Sequence, residues 1–298
     1  MKFGWFPKKH NYRTSTIRIE PLPDFQDSVS VVRKSGYLHD GWFCTPIQAE
    51  HKNSEEPCPP VPIPWFSLPL THLIEPQSGT ASPELIKFLI TVFGWSQGLQ
   101  LHPDGWGHLS RVAIEPGKLT DFIIFEKDVP RMLDLAEEFW HRHQANGVAD
   151  GMFGAIHWFL FSQSYYQYFE RFMMQYIALD TIYWIQESIS GIRAGTHAKR
   201  VEVLANSLNV PLPSWGNVDS TGKSDISRLR NDLFHEAKFG GAPIGFALPS
   251  MKGNILLQLK AFNCRLLAAI LGATGNYSRS SSQTRAIHRL SIDYECIN

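Results

Sequence analysis

Arg230, Asn231 and His235 fall within one short stretch, RNDLFHE, and two of them carry groups suited to phosphate chemistry. A guanidinium stays charged at any usable pH and matches paired phosphate oxygens with two N–H donors. A free imidazole titrates near pH ~6.5 and therefore trades protons at neutral pH. On a wheel of 3.6 residues per turn, Arg228, Asn231, Asp232, His235 and Glu236 share a polar face. Ile226, Leu229 and Leu233 lie opposite, with Phe234 beside them and Arg230 among these apolar positions. A guanidinium is seldom buried unpaired, so Arg230 requires a carboxylate, an incoming phosphate or an opening at a subunit interface. An ideal helix sends Arg230 and His235 about 140° apart. Asn231 and His235, four apart, converge, which predicts that the Asn amide orients the imidazole. Three arrangements stay open: the long Arg side chain reaches an anion near His235; a second copy of the helix completes the site across a two-fold axis; or His235 is a surface residue and Arg230 pairs with a carboxylate such as Asp180 or Glu187.

Other reactive side chains give weaker patterns. His141 and His143 point to different sides of a helix and lack an acidic or Cys partner at ligand spacing, so no metal site is expected. Glu137-Glu138 reads as a solvated face. GKSD at Gly222–Asp225 lacks the glycine pattern of a phosphate-binding loop. The glycines of GGAPIGF read as a helix stop and packing loop. Tyr165, Tyr166, Tyr168 and Trp184 have faces on which RNA bases stack, but at helical spacing they read first as core or interface. Arg228 and Lys238 are candidate phosphate contacts beside the motif, against the plainer reading of solvated charge.

These residues must be positioned by a folded core, and the composition allows one. The chain has 298 residues, 43% of them hydrophobic, with 28 basic and 28 acidic side chains. Balanced charge excludes a global basic field, so any nucleic-acid contact must be local. The four cysteines, Cys44, Cys58, Cys264 and Cys296, form neither a CxxC pair nor a zinc spacing. The N-terminal stretch lacks a continuous apolar core of a signal peptide, and no run of ~18 apolar residues suggests a membrane span. The expectation is a reduced, cytoplasmic protein.

The two halves differ. Residues 1 to about 56 contain STIRIE and SVSVVRK, which alternate like half-buried strands. Pro57–Pro69 holds six prolines and reads as an extended strap packed through Trp65 and Phe66. A helix is expected after Ser82 as N-cap and Pro83 at the first position. Two short strands are expected around Pro116-Gly117, and another helix from Pro130. Ala155–Ser190 contains neither Gly nor Pro; as one helix it would be about 54 Å long, several-fold beyond the average globular helix, which leaves room for a break or a kink. Helices follow at residues 197–210 and 225–239, the latter stopped by Gly240-Gly241, and at 254–271, where Ile255, Leu259, Phe262, Leu266 and Ile270 recur at helical spacing. The fold class expected is α+β: a mixed, β-containing region over 1–151, followed by a mainly helical bundle of about four helices over 152–298.

The Arg-polar-xxx-His pattern at Arg230, Asn231 and His235 resembles the HEPN superfamily, and within it the ApeA-like branch. ERFMMQYIALDTIYWIQ looks like the long first helix of that family, ISRLRNDLFHEAKFGGAPIGF like its catalytic helix and following loop, and LKAFNCRLLAAILG like its closing helix. The resemblance covers roughly residues 152–295; the first half matches no family. It implies a HEPN-type four-helix bundle that dimerises, and a metal-independent endoribonuclease without cofactor, of the kind found in phage-defence, toxin–antitoxin and RNA-processing systems. The implied substrate is RNA, tRNA among the candidates. In that chemistry a 2′-hydroxyl attacks its own phosphate. His235 moves a proton, Arg230 offsets charge on the non-bridging oxygens, and Asn231 holds the imidazole or touches the phosphate. Arg228 and Lys238 would bind substrate. One imidazole does not easily serve as base and acid at once, which points to a cleft shared by two copies. The alternative is a HEPN-fold protein that binds or senses RNA without turnover.

Overall fold

A computed structural model of the chain describes residues 1–44, 66–77, 79, 81–108, 111–165, 167–244, 254–283 and 288–290. The chain forms two compact units, Met1–Glu137 and Glu138–Asn298. The expected boundary at 151/152 falls within a helix of the second unit, Val148–Phe161. The fold is α+β, as the sequence predicts.

In the first unit, β1 (Lys2–Gly4), β2 (Tyr12–Arg13), β3 (Ile17–Pro21), β6 (His72–Pro76) and β7 (His102–Pro103) form an antiparallel sheet in the order β2-β3-β6-β1-β7. A smaller antiparallel sheet joins β4 (Leu38–His39), β5 (Trp42–Cys44) and β8 (Arg111–Ala113). The helix α2 (Pro83–Gln97) starts as expected, with Ser82 Oγ accepting from Leu85 N–H at 3.1 Å. Its Phe93 ring meets Phe3, Phe6 and Tyr12 edge-on, 5.0–6.1 Å between centroids.

Two strand expectations change here. SVSVVRK is not a strand but part of α1 (Phe25–Lys34). Phe25, Ser28, Val29 and Val32 are buried while Val31 is 64% exposed, so spacing of three and four decides over β-branched propensity. The stretch around Pro116-Gly117 yields β8 and β9 (Phe122–Ile124), but β8 pairs with β5 rather than folding back as a hairpin. Of the proline strap, residues 57–65, Trp65 included, lie outside the described residues; Phe66 is buried and bridges His108.

The second unit is helical. The Gly-free and Pro-free run is interrupted between α4 (Val148–Phe161) and α5 (Tyr168–Ser190), which pack against each other; α3 (Val129–His143), which holds the last residues of the first unit and the first of the second, precedes them. The break is held by buried polar groups: Gln175 Nε2 donates to Phe159 O at 3.0 Å and Ser162 Oγ at 2.5 Å. Asn263 Nδ2 of α8 (Ile255–Ile270) donates to Gln175 O and Oε1 at 2.8 and 2.9 Å, closing the network. Between them come α6 (Arg200–Ser207) and α7 (Asp225–Glu236). Arg265 on α8 is 0% exposed, donating to Ala261 O at 2.8 Å and Ser280 O at 2.9 Å with its guanidinium over the Tyr277 ring. Among the described residues no helix is long and apolar enough to cross a membrane.

Candidate functional site

The site lies on α7, and both helix ends are fixed. At the start, Ser224 and Ser227 cap each other: Ser227 N–H reaches Ser224 Oγ at 3.4 Å and Ser227 Oγ takes Ser224 N–H at 2.9 Å. Arg228 reaches back to Asp219 and, at 3.2 Å, to Asp225. Hydrogen bonds from Thr221 and Arg228 hold the Asp219 carboxyl well below the usual range. Arg228 therefore clamps the 219–223 loop to the first turn of the helix, its charge already met by two carboxylates.

The far end differs from expectation. The helix stops at Ala237, in the left-handed region at φ 52°, before the glycines are reached. Gly240 and Gly241, at φ 62° and 86°, instead turn a hairpin between β10 (Lys238–Phe239) and β11 (Ala242–Pro243). Phe239 is 2% exposed and packs 5.4 Å from Phe172 of α5, which pins the hairpin and the end of the motif helix to the bundle. Lys238 pairs with Glu236 at 2.8 Å.

Ile226, Leu229 and Leu233 are buried as the wheel predicts, whereas Phe234 is 47% exposed. Arg230 is half-buried, and its contacts depart from the ideal wheel. Its Nη1 donates to Asn231 Oδ1 at 3.1 Å and lies 3.2 Å from His235 Nε2; its guanidinium sits 5.1 Å from the Phe234 ring centroid. The 140° between Cβ directions is overcome within one chain by the length of the Arg side chain, which runs along the helix towards its exposed last turn. A guanidinium has only N–H donors, so His235 must accept through the Nε2 lone pair, leaving the ring proton on Nδ1. Asn231 thus meets the guanidinium, and acts on the imidazole through Arg230 rather than directly.

The carboxylates that would neutralise Arg230 are engaged elsewhere. Asp180 binds Arg200 at 2.6 Å, and Glu187 binds Arg193 at 2.9 Å. Among the described residues no carboxylate pairs with Arg230, whose partners are an amide oxygen, an imidazole nitrogen and an aromatic face, all without formal charge. Its positive charge remains available to an anion.

Three side chains share this field without having been singled out from the sequence. The turn His197–Lys199 packs against α7, as does α5. Burial lowers the pKa of His197, with Arg200 acting the same way, Asp180 opposing, and Arg230 adding to the fall. Burial raises the Tyr176 phenol, reinforced by Asp180 and opposed by Arg230 and Arg200. Arg200 also lies 4.7 Å from the Tyr183 ring. The available signal was HAKR, with basic side chains at positions 197, 199 and 200 opening a helix.

Of the remaining candidates, His141 is exposed and the His143 ring lies tilted against Phe139, 4.7 Å between centroids. Tyr168 and Trp184 are each 45% exposed; Tyr166 lies outside the described residues. Among the described residues no three His, Cys, Asp or Glu side chains gather as a metal-binding group. No protein-family model, no curated protein and no solved structure matches this chain.

Proposed function

We propose that this protein is a metal-independent endoribonuclease of the HEPN type, with Arg230 and His235 as its working pair. The observation that carries the reading is the 3.2 Å approach of Arg230 to His235 Nε2, on an exposed helix end, with no carboxylate on the guanidinium among the described residues. Arg230 is placed to grip the scissile phosphate through two N–H groups and to offset the charge that builds on its oxygens. As the phosphate draws the guanidinium off Nε2, the freed lone pair removes the proton from the RNA 2′-hydroxyl. The hydroxyl oxygen then attacks phosphorus, and the 5′ oxygen leaves with a proton from a second acid. The second acid in this reading is His235 of another copy, each chain contributing one Arg–His pair to a shared cleft. Exposed Phe234 and Ile244 beside the motif offer apolar surface for such a dimer. Asn231 keeps the guanidinium in register.

The test is incubation of purified protein with total RNA and with tRNA, with and without EDTA, followed by end analysis. EDTA-resistant cutting that leaves 2′,3′-cyclic phosphate and 5′-hydroxyl ends is expected. EDTA-sensitive cutting or 5′-phosphate ends would refute the mechanism.

One observation favours a second reading. The Nε2 lone pair is already occupied by Arg230, which suits a site that binds an RNA phosphate without turning it over. RNA binding that stays intact in His235→Ala, with no cleavage by either protein, distinguishes this from the nuclease.

A further inference from the structure

Phe234 leaves a large apolar ring in the open at the working end of α7. It follows buried Leu233, precedes exposed His235 and is itself 47% exposed. A single exposed aromatic on a protein surface is ordinary; its neighbours set this one apart. Arg230, four residues earlier, stands one turn back and about 40° round the axis, so the two side chains share a face. The guanidinium lies over the ring, 5.1 Å from its centroid, while its Nη1 lies 3.2 Å from His235 Nε2. A cation is attracted to an aromatic face, so this contact fixes the orientation of the ring before a ligand arrives. The surface that the ring leaves to solvent is then its other face and its edges.

The acidic groups of this helix end stand elsewhere. Asp232 and Glu236 are each two residues from Phe234, about 160° round the helix, and Glu236 is held by Lys238 at 2.8 Å. The side that carries Phe234 thus presents an apolar ring, an imidazole and a cation with no carboxylate partner among the described residues. These match three parts of one ribonucleotide. Attack by a 2′-hydroxyl needs the 3′ phosphate held, which falls to Arg230, and the hydroxyl deprotonated, which falls to His235. The base is carried on the same ribose, and its flat face stacks on an aromatic side chain.

We propose that Phe234 is the stacking platform for the base of the nucleotide whose 2′-hydroxyl reacts, the ring taking that base on the face turned away from Arg230. The proposal rests on the nuclease reading of the Arg230–His235 pair and adds the residue that selects the nucleotide. A phenyl ring has no hydrogen-bonding group, so it senses an open base face rather than the identity of the base. Inside a duplex both faces of a base are covered by neighbouring pairs. A paired nucleotide therefore meets Arg230 through its phosphate alone, and an unpaired one gains the stack as well.

The experiment titrates the full chain with a short 2′-O-methyl RNA carrying 5-iodouridine, either single-stranded or annealed to its complement. This probe has no 2′-hydroxyl to react, so it reads binding without cleavage. The single strand is expected to bind at least about tenfold more tightly than the duplex. Phe234→Leu should weaken the single strand about tenfold, in line with the worth of one base stack, and leave the duplex unchanged, while Phe234→Trp keeps the preference. Long-wave ultraviolet light should join the iodouridine to Phe234, as read by peptide mass spectrometry. Near-UV circular dichroism and light scattering check that the variants keep the fold and the mass of the assembly. No saturable binding of the single strand, equal binding of strand and duplex, an equal loss for both in Phe234→Leu, or crosslinks confined to other residues would each overturn the platform. A changed assembly mass in Phe234→Leu would also overturn it, giving the ring to a contact between copies. The outcome is separate from that of the cleavage test. EDTA-resistant cleavage with unchanged probe binding in Phe234→Leu overturns the platform and leaves the nuclease; a ring-dependent preference for the single strand without cleavage supports the platform in a site that binds RNA without turnover.

Discussion

At Arg230 the choice lies between a carboxylate and an anion from outside. Asp180 and Glu187 are held by Arg200 and Arg193, so among the described residues Arg230 meets only neutral groups. His235 is exposed on the last turn of α7, where truncation removes little packing. His235→Ala is therefore expected to change unfolding free energy by less than ~0.5 kcal/mol, while reducing RNA cleavage by about 10²–10⁴-fold, the usual worth of one acid–base group. Denaturant unfolding and cleavage assays on the same preparation check this. A variant that unfolds makes His235 a structural residue, and a folded variant that cleaves normally removes it from the mechanism.

The motif helix is held by opposing local terms. Burial of Ile226, Leu229 and Leu233 contributes about 1.5–3 kcal/mol per side chain, enough to tolerate Ala237 in the left-handed region, which costs roughly 1–2 kcal/mol for a residue with a Cβ. Glycine takes that conformation freely but loses more entropy on folding, by about 0.4–1 kcal/mol. Ala237→Gly is thus expected to stabilise the protein by about 0.5–1 kcal/mol without altering RNA cleavage. The thermal midpoint, read against the unchanged helix signal in far-UV circular dichroism, is the check; a lower midpoint would mean that the Ala237 methyl group makes stabilising contacts that outweigh its strain.

For the whole molecule, the buried histidines of the first unit set an acid limit. Burial lowers His72 to about 4 and His108 to about 3. Unfolded histidine titrates near ~6.5, so below that pH the unfolded chain binds protons that the folded chain refuses. Stability is full above pH ~6.5 and falls as pH drops towards the folded values, by up to roughly 1.4 kcal/mol per histidine for each unit traversed. Urea midpoints measured between about pH 7.5 and pH 4.5 should decline through this range; a flat profile would show that these imidazoles accept protons in the folded state. Assembly gives the second test at this scale. Because Arg230 and His235 meet within one chain, the decisive mixed dimer pairs a wild-type chain with an Arg230→Ala/His235→Ala chain. If two pairs serve one phosphodiester, its cleavage rate falls far below half that of wild type. A rate near half would assign a complete private site to each chain, and a fully active monomer would eliminate the shared cleft.

Much of this was legible because it is local. Ser82 and Pro83 start α2, and Leu259, Phe262 and Leu266 mark the buried face of α8, since caps and three-to-four spacing act within a turn or two of chain. The motif helix and its apolar face were legible for the same reason. What depended on distant partners was not. Val29 and Val32 favour strand by type, yet they face Trp5, Phe43 and Phe66 across a core that only the fold assembles. Length left room for a break or a kink before α5, but the break and its place are held by Gln175 and Asn263, 88 residues apart in sequence. Ala237 ended α7 ahead of two better-suited glycines, because Phe239 had to reach Phe172. The sequence by itself determined that a guanidinium and an imidazole stand on one helix. Only tertiary structure decided that they touch, because it gave Asp180 to Arg200 and Glu187 to Arg193, so that among the described residues Arg230 has no carboxylate partner and meets His235 instead.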